Sequence, residues 1–293
     1  MIIVRIKAGL GNQMFQYATA YALAKRLNQP LFLFKDKENK KRPFRLKQFN
    51  INDVVIKPNE LPVVAKLIQN RHVNNVLRKI HFIKPQSQFV QYQFGKWLYF
   101  SELQNGFQEA FLDLDGENIF IDGYFLSNSL FIKYRKDLLN RFIPSYPSEP
   151  DYIKTLGQIK GCNSIAIHVR RGDFQFSNHP YHYLLGEEYY RRAIAYIRAQ
   201  VEAPCFFWFS EDFDWVYEHF GVEKDYRFVK IQTTYGDIDE MMLMKNCNHI
   251  ITANSTFSWW AAWLNEHENP IRIIPEKRFG NDMVPDSWIK LSI

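Results

Sequence analysis

Four apolar runs of strand length in the second half of the chain, separated by helical segments, leave few ways to fold. The runs are Ser164–Val169, Cys205–Phe209, Arg227–Ile231 and His249–Ala253. The segments between them, Glu187–Val201, Asp212–Phe220 and Asp239–Cys247, read as helices. Strands alternating with helices make a parallel, doubly wound sheet. Each run ends in polar residues: Arg170 and Arg171; Ser210, Glu211 and Asp212; Gln232 to Thr234; Asn254, Ser255 and Thr256. Parallel strands put all four tips on one edge, and an open sheet binds its ligand there.

The tip after the first run carries the most chemistry. Ser164 to Val169 reads as a buried strand that stops at Arg170, Arg171, Gly172 and Asp173. Two guanidiniums call for a partner with spread negative charge, and a diphosphate fits best. At the fourth tip Asn254, Ser255 or Thr256 can cap a helix that starts near Phe257. Phe257, Trp260, Ala261 and Leu264 recur at i, i+3, i+4 and i+7, so that helix packs firmly and its N-terminus becomes an anion site. An ordinary N-cap is the plain reading of this tip; its pairing with the arginine tip favours phosphate. His168 is placed either to touch a nucleoside or to hold a backbone carbonyl. Asp239 and Glu240 open a helix, where they either accept the N1–H and 2-amino hydrogens of guanine or serve as first-turn acids.

Three Asp-x-Asp triplets occur, Asp113/Asp115, Asp212/Asp214 and Asp237/Asp239. Metal-dependent sugar transferases hold a divalent ion with such a triplet, but two arginines and a helix N-terminus already neutralise a diphosphate. The expectation is chemistry without a metal or other cofactor. Arg171-Gly172-Asp173 matches an adhesion motif, but it follows a buried strand rather than sitting on a flexible loop.

The first half opens with one βαβ unit: strand Ile2–Ile6, a glycine loop Ala8–Asn12, helix Gln13–Leu27 and strand Leu31–Phe34. Met14 replaces the third glycine of a dinucleotide fingerprint, so the loop offers only backbone N–H groups at a strand tip. Further on, 61–83 reads as helix, 89–99 as extended and aromatic, 119–124 as strand and turn, and 127–142 as helix. Three prolines between Ile143 and Pro150 break helix and strand alike and set a linker, with domains at 1–148 and 149–293.

The 293 residues suffice for two domains, and 46% hydrophobic content for their cores. Aromatic residues reach 16%, which suits aromatic cores first and sugar- or base-stacking surfaces second. The net charge of +6 is mild and comes with no nucleic-acid motif, so nucleic acid is excluded as a partner. Basic clusters at 35–47 and at Lys66, Arg71, Arg78, Lys79 and Lys84 read as solvated faces or as contacts with anionic lipid. Three cysteines without a CxxC pair argue for a reducing compartment and against structural zinc. Met1–Ile6 is too short for a signal h-region, and no apolar stretch approaches the ~20 residues of a membrane span. The expectation is a cytoplasmic protein, with peripheral contact at the inner membrane as an option.

Three blocks, Gly9–Tyr17, His168–Asp173 and Asn254–Leu264, occur in this order and together resemble the bacterial α-1,2-fucosyltransferases of glycosyltransferase family 11. The resemblance implies an α/β GT-B architecture, two Rossmann-like domains facing a central cleft, with acceptor on the N-terminal side and GDP-sugar on the C-terminal side. It implies an inverting transfer of L-fucose from GDP-β-L-fucose to the 2-hydroxyl of a terminal β-galactoside, soluble or lipid-linked. By the same resemblance Arg170 holds the β-phosphate, His168 contacts the nucleoside, and Asp173 is essential for activity. Arg171, Ser210, Asn254, Ser255, Thr256 and Phe257 complete the donor site, with Glu240 near the guanine-binding acid. Gly9, Gly11, Asn12 and Gln13 border the cleft on the acceptor side. The loop Asn178–Leu185 departs from the family pattern, which leaves the acceptor open. Asp173, Glu211 and Asp212 are all candidates for a general base, and the departing phosphate is an alternative to any of them. Two alternatives stand beside this function: fucosyl transfer with another linkage, and a non-catalytic GDP-sugar-binding module.

Overall fold

In a computed structural model the chain forms two α/β units, Met1–Ser145 and Tyr146–Ile293. The structure describes residues 1–35, 42–69, 73, 76, 88–104, 106, 109–176, 183–276 and 282–292. Most of the basic cluster at 35–42, the residues Arg71, Arg78, Lys79 and Lys84, much of the helix read over 61–83, and 178–182 of the departing loop lie outside them.

The first unit contains β1 (Ile2–Ile6), α1 (Leu10–Leu27), β2 (Leu31–Lys35), β3 (Val54–Ile56), α2 (Val63–Gln69), β4 (Phe89–Phe94), β5 (Trp97–Glu102), α3 (Glu109–Leu112), β6 (Asn118–Asp122) and α4 (Arg135–Arg141). Its sheet runs β3-β2-β1-β6-β5-β4, parallel except for the β4–β5 hairpin. That hairpin is the aromatic stretch read as one extended segment; it turns at Gly95, whose φ of 55° favours glycine. The helix read over 127–142 is shorter than expected. Two 3₁₀ turns, Asn128–Leu130 and Ile132–Tyr134, precede α4, and Phe131 between them is non-helical at φ −137°. Spacing of apolar residues does not distinguish such turns from α-helix.

The second unit contains α5 (Pro150–Lys160), β7 (Asn163–Val169), α6 (Glu187–Gln200), β8 (Pro204–Ser210), α7 (Phe213–Phe220), β9 (Tyr226–Phe228), α8 (Gly236–Lys245), β10 (His249–Ile251), α9 (Thr256–Leu264), β11 (Arg272–Pro275) and β12 (Ile289–Leu291). All six strands are parallel, in the order β12-β11-β10-β7-β8-β9. The chain builds outward from β7 to β9, crosses back to β10 on the far side of β7, and builds outward again. The order therefore reverses between β7 and β10, the topological switch point at which open sheets bind ligands. Pro150, read as part of the linker, is instead the first residue of α5, where its missing N–H costs nothing.

The high aromatic content goes into cores. Trp208, Trp259, Trp260, Tyr189 and Tyr190 are fully buried in the second unit, as are Tyr17, Tyr99 and Phe120 in the first. Each such ring contributes about 2–3 kcal/mol by area removed from water. Both Rossmann-like units of the expected α/β architecture are present. The three cysteines are free thiols. Among the described residues no helix is long and apolar enough to cross a membrane.

Candidate active site

β7 and β8 run in register, with His168 beside Phe209 and Val169 beside Ser210. Arg170, Arg171 and Glu211 consequently leave the sheet side by side. Arg170 is held between two carboxylates: Asp173, three residues on, and Glu211, whose Oε1 is 3.1 Å from Nη1. Its guanidinium also lies 5.3 Å from the Phe174 ring centre. The side chain keeps 23% of its surface exposed. The Arg171 backbone N–H donates to the same Glu211 oxygen at 3.0 Å. Residue 172 has to be glycine for this to happen, because a Cβ there would meet Glu211 Oε1 at 2.6 Å and Cγ at 2.8 Å.

Arg171 is tied to the neighbouring strand tip. Its Nε donates to Asp212 at 3.0 Å and its guanidinium stacks 4.4 Å from Trp215, a combination that locks it against α7. Asp212 is consumed too. One oxygen caps α7 through the Trp215 N–H, and the other accepts from Arg171 and Gln175. Ser210 accepts the Asp212 N–H at 2.9 Å and so shapes its own turn. Arg171 and Ser210, both expected at the donor site, also hold the frame around Arg170.

On the other side of the switch point Ser255 is the N-cap of α9, its hydroxyl accepting the Phe257 N–H. Thr256 opens the helix and is nearly buried, and the Phe257 ring sits 5.5 Å from the His168 ring. Asn254 is fully buried; its Nδ2 donates to the Tyr183 carbonyl, while Oδ1 meets no partner among the described residues. The buried His168 Nδ1 likewise meets none there. Burial, with Arg170 next to it, pulls the His168 imidazole down to about 3, so the ring is neutral at ordinary pH. Orphaned polar atoms this deep call for a polar partner. Two tyrosines missed as site residues brace this edge. Tyr189 donates to the Thr252 carbonyl at 2.7 Å and Tyr190 to the His168 carbonyl at 3.3 Å. Their pairing at the start of a helical segment was the only sign of it in the sequence.

Of the two α8 acids expected near guanine, Asp239 is buried and accepts the Tyr146 hydroxyl at 2.8 Å. Glu240 is the one near the arginine turn. Burial first, then the nearby Glu211 and Asp237, push its carboxyl up to about 7.

In the first unit α1 begins at Leu10, directly after Gly9, so Gly11, Asn12 and Gln13 belong to its first turn rather than to a loop. Gln13 is buried, donating to the carbonyls of Ala8 and Pro43 and accepting the Arg45 N–H. Its amide ties these three backbone segments together. Ala8 ahead of it is held at φ 66°, a strained conformation for a side-chain-bearing residue.

None of the Asp-x-Asp triplets forms a cluster. Asp212 caps a helix, Asp115 accepts the Gly116 N–H, and Asp237 sits in the first turn of α8. Among the described residues no three His, Cys, Asp or Glu side chains gather as metal ligands. The second unit thus presents, at its switch point, one accessible guanidinium, a capped helix N-terminus and a neutral imidazole. Such a group can hold a diphosphate and a polar ring.

Residues 116–286 match the profile of glycosyl transferase family 11. The chain is 32% identical to the O-antigen biosynthesis glycosyltransferase WbnK of Escherichia coli, over 98% of this chain and 99% of that one. It is 30% identical to an α-1,2-colitosyltransferase of Escherichia coli, over 99% of each. It is 25% identical to galactoside α-(1,2)-fucosyltransferase 1 of Homo sapiens, over 87% of this chain and 62% of that one.

Proposed function

The chain belongs to glycosyl transferase family 11, and from that premise we propose that it transfers L-fucose from GDP-β-L-fucose, with inversion, to the 2-hydroxyl of a terminal β-galactoside. The observation that carries this reading is that the Arg170 turn and the Ser255-capped α9 follow the neighbouring strands β7 and β10 at the switch point. The α-(1,2)-fucosyltransferase named among the relatives supports the linkage.

In this mechanism the bond from sugar C1 to phosphate breaks as the acceptor hydroxyl approaches from the opposite face. Positive charge grows on the sugar and negative charge on the leaving diphosphate. Arg170 and the α9 N-terminus, with the Ser255 and Thr256 hydroxyls, meet that leaving charge. Because it is larger in the transition state than in the bound donor, their contribution goes into rate. The neutral His168 and the half-buried Glu240 face the nucleoside in this reading. In this reading Arg170 and the α9 N-terminus neutralise the diphosphate without a divalent ion, so EDTA is expected to leave turnover unchanged; a steep loss restored by Mn²⁺ would contradict this.

The α-1,2-colitosyltransferase relative favours a second reading, with colitose in place of fucose at the same site and the same linkage. One experiment separates these. The protein is incubated with GDP-fucose or a colitose donor and a panel of β-galactosides, and the product linkage is read by NMR. An α-1,2-fucosylated galactoside supports the first reading and an α-1,2-colitosylated one the second. A product of any other linkage, or nucleotide binding without donor cleavage, overturns both.

A further inference from the structure

Arg170 faces two carboxylates, and the structure gives them unequal holds. Glu211 is built in. Its Oε1 takes the Arg171 N–H at 3.0 Å and Arg170 Nη1 at 3.1 Å, and its stem fills the space that Gly172 leaves empty. Asp173 sits on the short 3₁₀ turn Gly172–Phe176 with 43% of its side chain exposed, and meets Arg170 at its other terminal nitrogen, Nη2. An incoming diphosphate must take a place on the guanidinium that a carboxylate now holds. Asp173, the more exposed of the two, can leave with its turn. Glu211, although 32% of its side chain is exposed, cannot leave without breaking its bond to the Arg171 N–H, which shapes the arginine turn.

We infer that Glu211 is the residue that positions Arg170 for the diphosphate, and that Asp173 is the counter-ion the diphosphate displaces. Asp173, paired with Arg170, occupies the phosphate seat. When the donor arrives, the two phosphates replace it, and its carboxylate is set free beside the donor. Glu211 stays in place through the cycle and keeps the guanidinium aimed. The two acids then respond differently to substitution. At 173 only the charge matters, since removing a competitor strengthens phosphate binding. At 211 shape matters, since glutamine retains an oxygen where the Arg171 and Arg170 N–H groups need one and alanine does not.

This assignment rests on the diphosphate reading of Arg170, and GDP binding measured by calorimetry tests the two separately. Asp173→Asn and Asp173→Ala are both expected to bind GDP more tightly than the unsubstituted protein, by about 5-fold, the equivalent of about 1 kcal/mol for a competing exposed ion pair. Glu211→Gln should bind at least as well as the unsubstituted protein. Glu211→Ala should bind about 10-fold more weakly, because the arginine loses its aim. If Glu211→Ala shows no cooperative melting, Gly172→Ala takes its place, since it expels the Glu211 side chain while leaving the residue intact. Alanine and glutamine binding alike at 211, or looser binding on loss of Asp173, overturns the assignment alone. An unsubstituted protein that binds GDP no better than Arg170→Ala overturns the diphosphate reading, and the assignment falls with it.

Discussion

Gly172→Ala tests the arginine turn without touching any charge. The new Cβ would lie 2.6 Å from Glu211 Oε1, 2.8 Å from Cγ and 3.1 Å from Cδ. All three atoms belong to one flexible side chain, so Glu211 swings out and the backbone survives. Its bonds to the Arg171 N–H and to Arg170 are lost. Both side chains are partly solvated, so water replaces part of that interaction, and the net cost is about 1–2 kcal/mol. The alanine itself returns about 0.5 kcal/mol by restricting the unfolded chain. A net loss of about 1 kcal/mol lowers the melting temperature by about 2–5 °C. Turnover suffers far more, because a displaced guanidinium no longer meets the leaving phosphate, and a loss of about 10²-fold in kcat is expected. The assay is GDP release from GDP-fucose with a β-galactoside, alongside thermal melting. The double variant Gly172→Ala/Glu211→Ala should be no slower than Glu211→Ala alone, since the clash has nothing left to displace. Near-normal turnover in Gly172→Ala, or a double variant slowed by the product of the two single effects, would refute the reasoning.

Arg170→Ala should melt within about 2 °C of the unsubstituted protein yet lose about 10²–10³-fold in kcat, as for other preorganised donors to a developing anion; turnover near normal would remove the phosphate assignment. Asp212→Ala removes the α7 cap and frees Arg171, so a loss of about 1–2 kcal/mol in urea unfolding is expected, whereas Asp214→Ala should be silent. Glu240 holds its proton up to about pH 7 in the folded state, against 4.5 ordinarily, so the folded protein binds the extra proton between those values and stability falls as pH rises through them. At 1.36 kcal/mol per unit the full shift is worth about 3 kcal/mol, and partial exposure reduces it to about 1–2 kcal/mol. Glu240→Gln should therefore be more stable than the unsubstituted protein at pH 8 and not at pH 4; the same difference at both values would contradict the assignment. His168 works in the opposite direction: its folded state resists protonation down to about 3, so stability drops as pH falls below 6.5, and His168→Gln should flatten that acid limb in a pH series of melting curves.

The strands that were easiest to read are those buried on both faces. Ser164–Val169 and Cys205–Phe209 are continuous apolar runs because helices cover both sides of their sheet, and they correspond to β7 and β8. β11 and β12 escaped notice, since four residues ending in proline and three residues at the sheet edge carry too little pattern. The Asn254–Thr256 cap was legible from hydroxyls ahead of an apolar helical stripe. The division of labour between the two arginines was not. Arg170 and Arg171 are adjacent and chemically identical, and only the neighbouring tip distinguishes them, with Asp212 and Trp215 taking one and leaving the other accessible. The backbone ties of Gln13 were illegible for a similar reason. A polar residue beside a glycine loop looks available until Ala8, Pro43 and Arg45 are seen around it.

What the order of residues decided unaided is the local grammar: where apolar periodicity makes strand or helix, where a tip turns polar, and which residue types gather at each tip. These are near-neighbour properties, set by backbone propensity and burial. Which tips lie side by side is decided only when strands pair. Placing β10 against β7 puts the capped end of α9 next to His168, and pairing β8 with β7 on its other side brings Glu211 into the gap left by Gly172. Those contacts join residues some 40 to 90 positions apart, and sheet pairing, not sequence proximity, supplies their geometry.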